Sequence, residues 1–289
     1  QLPAETFFNK TRLYTRLCAE AGIREDFAIT KEEEQLQKYC FRILSIDSPQ
    51  WIRFLRKEIG HPYEPTSQIE KQYLRMWQYT IYGKDYQHCG MKTPLEAITR
   101  FSSHPALSEE IQGILAYVYD HIQILPKPPH LPYPCALEVH CHYTRDQLLA
   151  ALGYKNPSSI REGVKYLPEK KTDIFLITLN KSAKEFSDTT LYEDYSINDH
   201  LFHWQSQNST SPESETGQRY IRQNEAGNIV LLFVRECKQD IHRNAMSYTF
   251  LGPAHYVTHT GSRPMTIIYK LTEPIPAQYL PTTDSSGVL

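Results

Sequence analysis

Between Lys181 and Tyr220 the chain gathers side chains able to hold a planar ligand. Tyr192, Tyr195, Phe202 and Trp204 offer aromatic faces, and Asp194, Gln205 and Gln207 offer forked hydrogen-bonding edges. An amide pairs bidentately with an adenine edge, and a carboxylate accepts from a cytosine amino group. A base taken out of its stack is held in this way, between aromatic faces with polar groups along its edge. Each stacked base contributes roughly 1–3 kcal/mol, so such a site needs no large positive field. The expectation is a non-catalytic nucleic-acid site. Trp204 and Tyr195 stack on a base, Asp194, Gln205 and Gln207 read its edge, and Lys181, Lys184 and Arg219 contact phosphate. Thr216 and Tyr220, either side of Arg219 in "TGQRY", belong to the same candidate set.

The stretch "LFHWQSQNSTSPESETGQRYI", residues 201–221, sharpens the question. On a strand, Phe202 and Trp204 share one face while His203 and Gln205 share the other. A one-sided sheet does not bury both. Either Trp204 is buried and His203 with Gln205 meets the ligand, or the reverse holds. The Ser/Thr/Glu run from Ser206 to Glu215 is expected to be a mobile flap, with Arg219 at its far hinge.

Other chemistries find less support. His140-Cys141-His142, near Cys135, carries zinc-type ligands, but strand alternation sends Cys141 away from the two histidines. Asp173, Lys181 and Asp194 are the pieces of a divergent magnesium-dependent nuclease, and this is the catalytic alternative. The middle acid of an Asp…Glu-x-Lys pattern is missing from "LNK". There is no G-x-S-x-G elbow and no phosphate-cradling glycine loop. No metal and no cofactor is expected.

The elements that must position these residues fall into two groups. Residues 1–124 read as a helical docking or connecting subdomain. Ser48-Pro49, the Ser67/Glu70 box and Thr93-Pro94-Leu95-Glu96 each mark a helix start. Ile111, Leu115, Val118 and Ile122 recur at helical spacing. "LPKPPHLPYP", residues 125–134, holds five prolines and reads as a stiff linker. Residues 135–282 read as β-rich. "ALEVHCHY", "TDIFLITLNK", "NIVLLFVREC", "YTFLGPAHYVTHTG" and "RPMTIIYKL" are strand candidates, and Thr144/Gln147 box a short helix. Residues 283–289 read as a frayed tail. The fold class is therefore α+β, a helical subdomain followed by a mixed, barrel-like β domain.

Composition limits the partners. The charge is nearly balanced, 31 basic against 33 acidic side chains, so a sequence-independent grip on a phosphate backbone is not expected. No apolar run is long enough to span a bilayer, and no membrane partner is expected. The six cysteines are scattered without a C-x-x-C, which suits a reducing, cytoplasmic setting. The first methionine is Met76, and the expectation is a piece of a longer polypeptide.

"YTRDQLLAALGY", "REGVKYLPEKKTDIFLITLNKSAKEFSDTTLYEDYSINDHLFHWQSQ", "TGQRYI", "LLFVRE", "YTFLGPAHYV" and "GSRPMTIIYKL" closely resemble a domain family of unknown function. That family occurs at the C-terminal end of bacterial superfamily-two DEAD/DEAH helicases, often with an N-terminal phospholipase-D-like nuclease. The resemblance implies DNA as partner, upstream helicase and nuclease domains on the same polypeptide, and a role in restriction or phage defence. The closing strands are similar, by fold-level analogy alone, to PUA- and SRA-like barrels that recognise modified or flipped bases. A third alternative, beside the reader and the nuclease, is architectural, with the helical half docking the motor and the barrel half binding a partner protein.

Overall fold

The computed structural model describes residues 14–23, 25, 30–180, 194–240 and 245–281. The expected tail at 283–289 lies outside the described residues, as do Lys181, Lys184 and Tyr192. The chain forms two compact units, Gln1–Pro126 with Pro134–Ile160 and Lys127–Tyr133 with Arg161–Leu289. The units therefore divide the chain differently from a single cut at the prolines. The segment after the prolines returns to the helical unit, where Gln72 accepts from the Ala136 amide and donates to the Pro134 carbonyl. Tyr133 belongs with the sheet unit, its hydroxyl 2.9 Å from that of Thr172.

The helical unit contains α1 (Tyr14–Glu20), α2 (Lys31–Gln37), α3 (Pro49–Glu58), α4 (Gln68–Tyr82), α5 (Glu96–Ser102), α6 (Pro105–Asp120) and α7 (Arg145–Ala151). Local signals account for most boundaries. Ser48 caps α3 by accepting from the Trp51 amide, with Pro49 in the first turn. Ser67 and Glu70 form the capping box of α4, and Gly83 closes that helix at φ 66°. Thr144 and Gln147 box α7. Glu70 also accepts from Tyr63 Oη at 2.7 Å, and this bond with those from Ser67 and Thr66 holds its carboxyl down to about 2. At α5 Thr93 does not cap the helix, and no side chain does. Helix α5 begins at Glu96, whose carboxylate instead accepts from the Lys92 amide at 3.0 Å. Trp51, Trp77, Phe101 and Ile111 are fully buried between these helices, with Trp77 edge-on to Phe101.

"ALEVHCHY" keeps the burial alternation of a strand, yet only His142 and Tyr143 are extended as one. His140 adopts φ 76°, which bends the chain. The bend lets Asp47 accept from the His142 amide at 2.9 Å and sit 2.6 Å from its Nδ1. Cys141 is wholly buried, and among the described residues no group of three or more His, Cys, Asp or Glu side chains could hold a metal.

In the sheet unit lie β1 (Val164–Leu167), β2 (Thr172–Thr178), β3 (Tyr195–Ser196), β4 (Leu201–Gln205), β5 (Ile229–Arg235), β6 (Tyr248–Thr260) and β7 (Thr266–Leu271), with α8 (Glu215–Ile221) and α9 (Gln223–Ala226). The strand order is β1-β2-β5-β6-β7-β4-β3. β2 and β5 run parallel and the other neighbours antiparallel. The two ends are not bonded to each other, so the sheet is open. This corrects the barrel-like expectation, because alternation and turn signals are common to barrels and open curved sheets, whereas closure depends on tilt and shear. The 13-residue β6 carries two bulges, where register shifts leave Leu251 and Val257 as extra residues.

Candidate functional site

One face of the sheet is closed. Phe175, Phe202, Trp204, Tyr220, Leu232, Ile267 and Tyr269 join one buried cluster. Trp204 is 4% exposed. Its ring stacks on Phe175 at 4.0 Å and meets Tyr220 edge-on at 5.5 Å. The expectation that Trp204 stacks on a base is therefore corrected, since its ring is already packed. Of the two alternatives for residues 202–205, the fold adopts the one in which Phe202 and Trp204 are buried. Tyr220 is also core, and its hydroxyl is pushed well up, chiefly by burial.

At the rim of this cluster sits a buried ion pair. Arg219 on α8 donates from Nε and Nη2 to the two oxygens of Asp173 on β2, at 2.9 and 3.0 Å. The Asp173 side chain is 1% exposed and that of Arg219 15%. The guanidinium lies 4.0 Å over the ring of Tyr166, which faces Asp173 across β1 and β2. Burial pushes the Asp173 carboxyl up, and the hydrogen bonds and charge of Arg219 pull it back. A planar, bidentate pair with an aromatic lid is what Arg supplies better than Lys. The pair corrects two expectations. Arg219 is committed to Asp173 rather than presented to phosphate, and Asp173 is committed to Arg219 rather than open to magnesium.

The run from Ser206 to Glu215 is not a flap in this fold. Ser206, Thr210 and Ser211 are buried. Ser206 donates its amide to the Met265 carbonyl and accepts the Met265 amide on Oγ, both at 2.9 Å. Ser214 caps α8 by accepting from Gly217 N at 3.1 Å and donates to the Ser211 carbonyl at 2.6 Å. A Cβ at Gly217 would run into that same Ser211 carbonyl, which is why "TGQRY" needs its glycine. Gln207 offers its carbonyl to the Thr210 amide within the turn, and Thr216 sits half-buried on α8.

The opposite face is open over β3, β4, β7 and the outer part of β6. The register aligns Tyr195, His203, Ile268 and Thr258 in one row. Gln205, Thr266 and Thr260 form the next row, and Leu201, Lys270 and His255 the row on the other side. None of these ten residues is buried. Residues directly opposite in antiparallel strands share a face. Tyr195 is 48% exposed and stacks on His203, ring centroids 4.4 Å apart and planes within 13°. Asp194, by contrast, is buried, and its Oδ1 accepts from the Gln205 amide at 3.0 Å, extending the β3–β4 pairing by one more link.

The candidates thus separate. Tyr195, His203 and Gln205 meet on the open face, whereas Trp204, Arg219 and Tyr220 lie on the closed side. The sequence reading missed Lys270 and His255, because alternation within "FLGPAHYVTHT" and "MTIIYKL" does not reveal which strands are neighbours. It also missed Gln223, buried at the foot of α9. That side chain donates to the Ala254 carbonyl at 2.6 Å and accepts from the Tyr256 amide at 2.8 Å, which fixes β6 just before its second bulge.

No curated protein matches the chain. Residues 137–281 match the family described as a domain of unknown function, DUF3427. This match takes in both the open face and the buried Asp173–Arg219 pair, and the chain belongs to that family.

Proposed function

We propose that the sheet unit is a nucleic-acid reader, with its open face holding unstacked bases. The carrying observation is the exposed Tyr195 stacked on the half-buried His203, beside Gln205, Thr266 and Thr260 on one sheet face. Exposed aromatic side chains on a sheet surface are how several single-strand binders accept bases, with polar neighbours reading their edges. The nearly neutral charge suits recognition by stacking rather than by a broad electrostatic grip. On the sequence resemblance, the reader serves DNA as the C-terminal module of a cytoplasmic bacterial helicase–nuclease in restriction or phage defence, and the upstream motor and nuclease perform the chemistry. The analogy to PUA- and SRA-like readers enters at the level of a flipped or modified base. Among the described residues no helix is long and apolar enough to cross a membrane.

The test is anisotropy titration of labelled single-stranded and duplex DNA, with plain and modified bases, against the wild-type chain and the Tyr195→Ala/His203→Ala variant. Losing one stacked base at roughly 1–3 kcal/mol predicts weakening by about 5-fold to more than 100-fold. Equal binding by the two proteins would sink the proposal.

A further inference from the structure

One end of the open face passes into a cleft of about 740 Å³, lined by His200, Leu201, His255, Lys270 and Thr272, with Asp199 beside them. We infer that this cleft is a phosphate-binding subsite, centred on Lys270 and His255. The identity of the phosphate carrier, a strand stacked on Tyr195 and His203, rests on the nucleic-acid reading above, whereas the phosphate chemistry does not.

Three observations carry the inference. First, Lys270 and His255 are direct cross-strand partners between β7 and β6, both exposed, so their side chains rise together from one face. Second, several other cations in this unit already have partners. Arg219 is paired with Asp173, Lys127 with Glu273, and Arg235 donates to Thr178 while lying over Tyr248. Among the described residues Lys270 has no ion-pair partner. Third, the cleft is built rather than floppy. Asn198 Oδ1 accepts from the amides of His200 and Leu201, the Asp199 carbonyl accepts from Ile275 N at 2.6 Å, and His200 Nδ1 donates to the Leu271 carbonyl at 3.1 Å. Lys270 supplies three ammonium donors, and Thr272 and the imidazoles add polar groups. A single carboxylate, that of Asp199, opposes an anion. Leu201 and His203 are two residues apart on β4, about 7 Å along the strand. The phosphate beside a base stacked at Tyr195 and His203 falls within reach of Lys270.

The test follows the ring signals of His200 and His255 in the full chain by NMR. Inorganic phosphate, thymidine 5′-monophosphate and, as an ionic-strength control, chloride are titrated in turn. Saturable shifts with both phosphates but not with chloride are expected, with affinity reduced about tenfold in Lys270→Gln. Identical responses to chloride, or unchanged affinity in Lys270→Gln, would overturn the inference. Titrating an eight-residue thymidine oligonucleotide separates the two proposals. If Tyr195→Ala/His203→Ala loses the oligonucleotide yet keeps phosphate, both stand. If that variant binds the oligonucleotide as well as wild type while Lys270→Gln loses phosphate, the base-reading proposal fails and the cleft takes a free phosphate ligand. If Lys270→Gln binds the oligonucleotide normally and phosphate gives no response, the subsite fails while base reading survives.

Discussion

The two halves of the sheet use the same residue types in opposite ways. In β2 all seven residues are buried, and the one charged side chain among them, Asp173, is neutralised internally by Arg219. In β4 and β7 only alternate residues are buried, and the remainder, from His203 to Lys270, are half-buried or exposed. The difference is one of neighbours. A central strand covered on both sides reads as a continuous apolar run, so a polar group there must find a partner within the protein. A half-covered strand keeps its polar face for water or a ligand. Function is therefore sought where the polar groups are left over.

The contrast can be broken most severely at the closed half. Removing one partner of a buried pair leaves an uncompensated charge at a cost of about 3–5 kcal/mol. Asp173→Ala should lower the free energy of unfolding, read from denaturation curves, by that much, and replacing both partners with apolar residues of similar volume should restore most of it. A loss of under about 1 kcal/mol for the single variant would mean that the pair is not closed in solution. A smaller effect is expected at the α8 cap. Gly217→Ala forces a methyl against the Ser211 carbonyl, an overpacking cost of about 1–3 kcal/mol, read from the same denaturation curves. The smallest effect belongs to the open half. Tyr195→Ala should change stability by less than about 1 kcal/mol, the scale of an exposed cross-strand contact, while weakening DNA. A stability loss rivalling that of Asp173→Ala would make Tyr195 structural and erase the distinction.

Much of the framework was legible in the sequence because its signals act over a few residues. The caps at Ser48, Ser67 and Thr144 lie where the capping pattern placed them, since a side chain and an amide three residues on need nothing else to meet. The runs at 172–178, 229–235, 248–260 and 266–271 became strands for the same reason of local pattern. Errors arose where a distant partner decided the outcome. Ser206–Glu215 has the composition of a flexible loop, but Met265 and the Ser211–Ser214 turn supply hydrogen bonds that hold it. His140 lies in an alternating run, yet a positive φ ends the strand there.

For the aromatic stretch at 201–205, the sequence by itself determined that Phe202 and Trp204 share one side and His203 and Gln205 the other, because strand geometry alternates side chains whatever surrounds them. Which side would be buried was decided only by the tertiary structure, through Phe175 arriving from β2 and Tyr220 from α8 to close over Trp204. The same long-range pairing turned Asp173 and Arg219, 46 positions apart, into one buried unit, and brought Lys270 beside His255. Such contacts depend on strand order and register, which no local run of residues encodes.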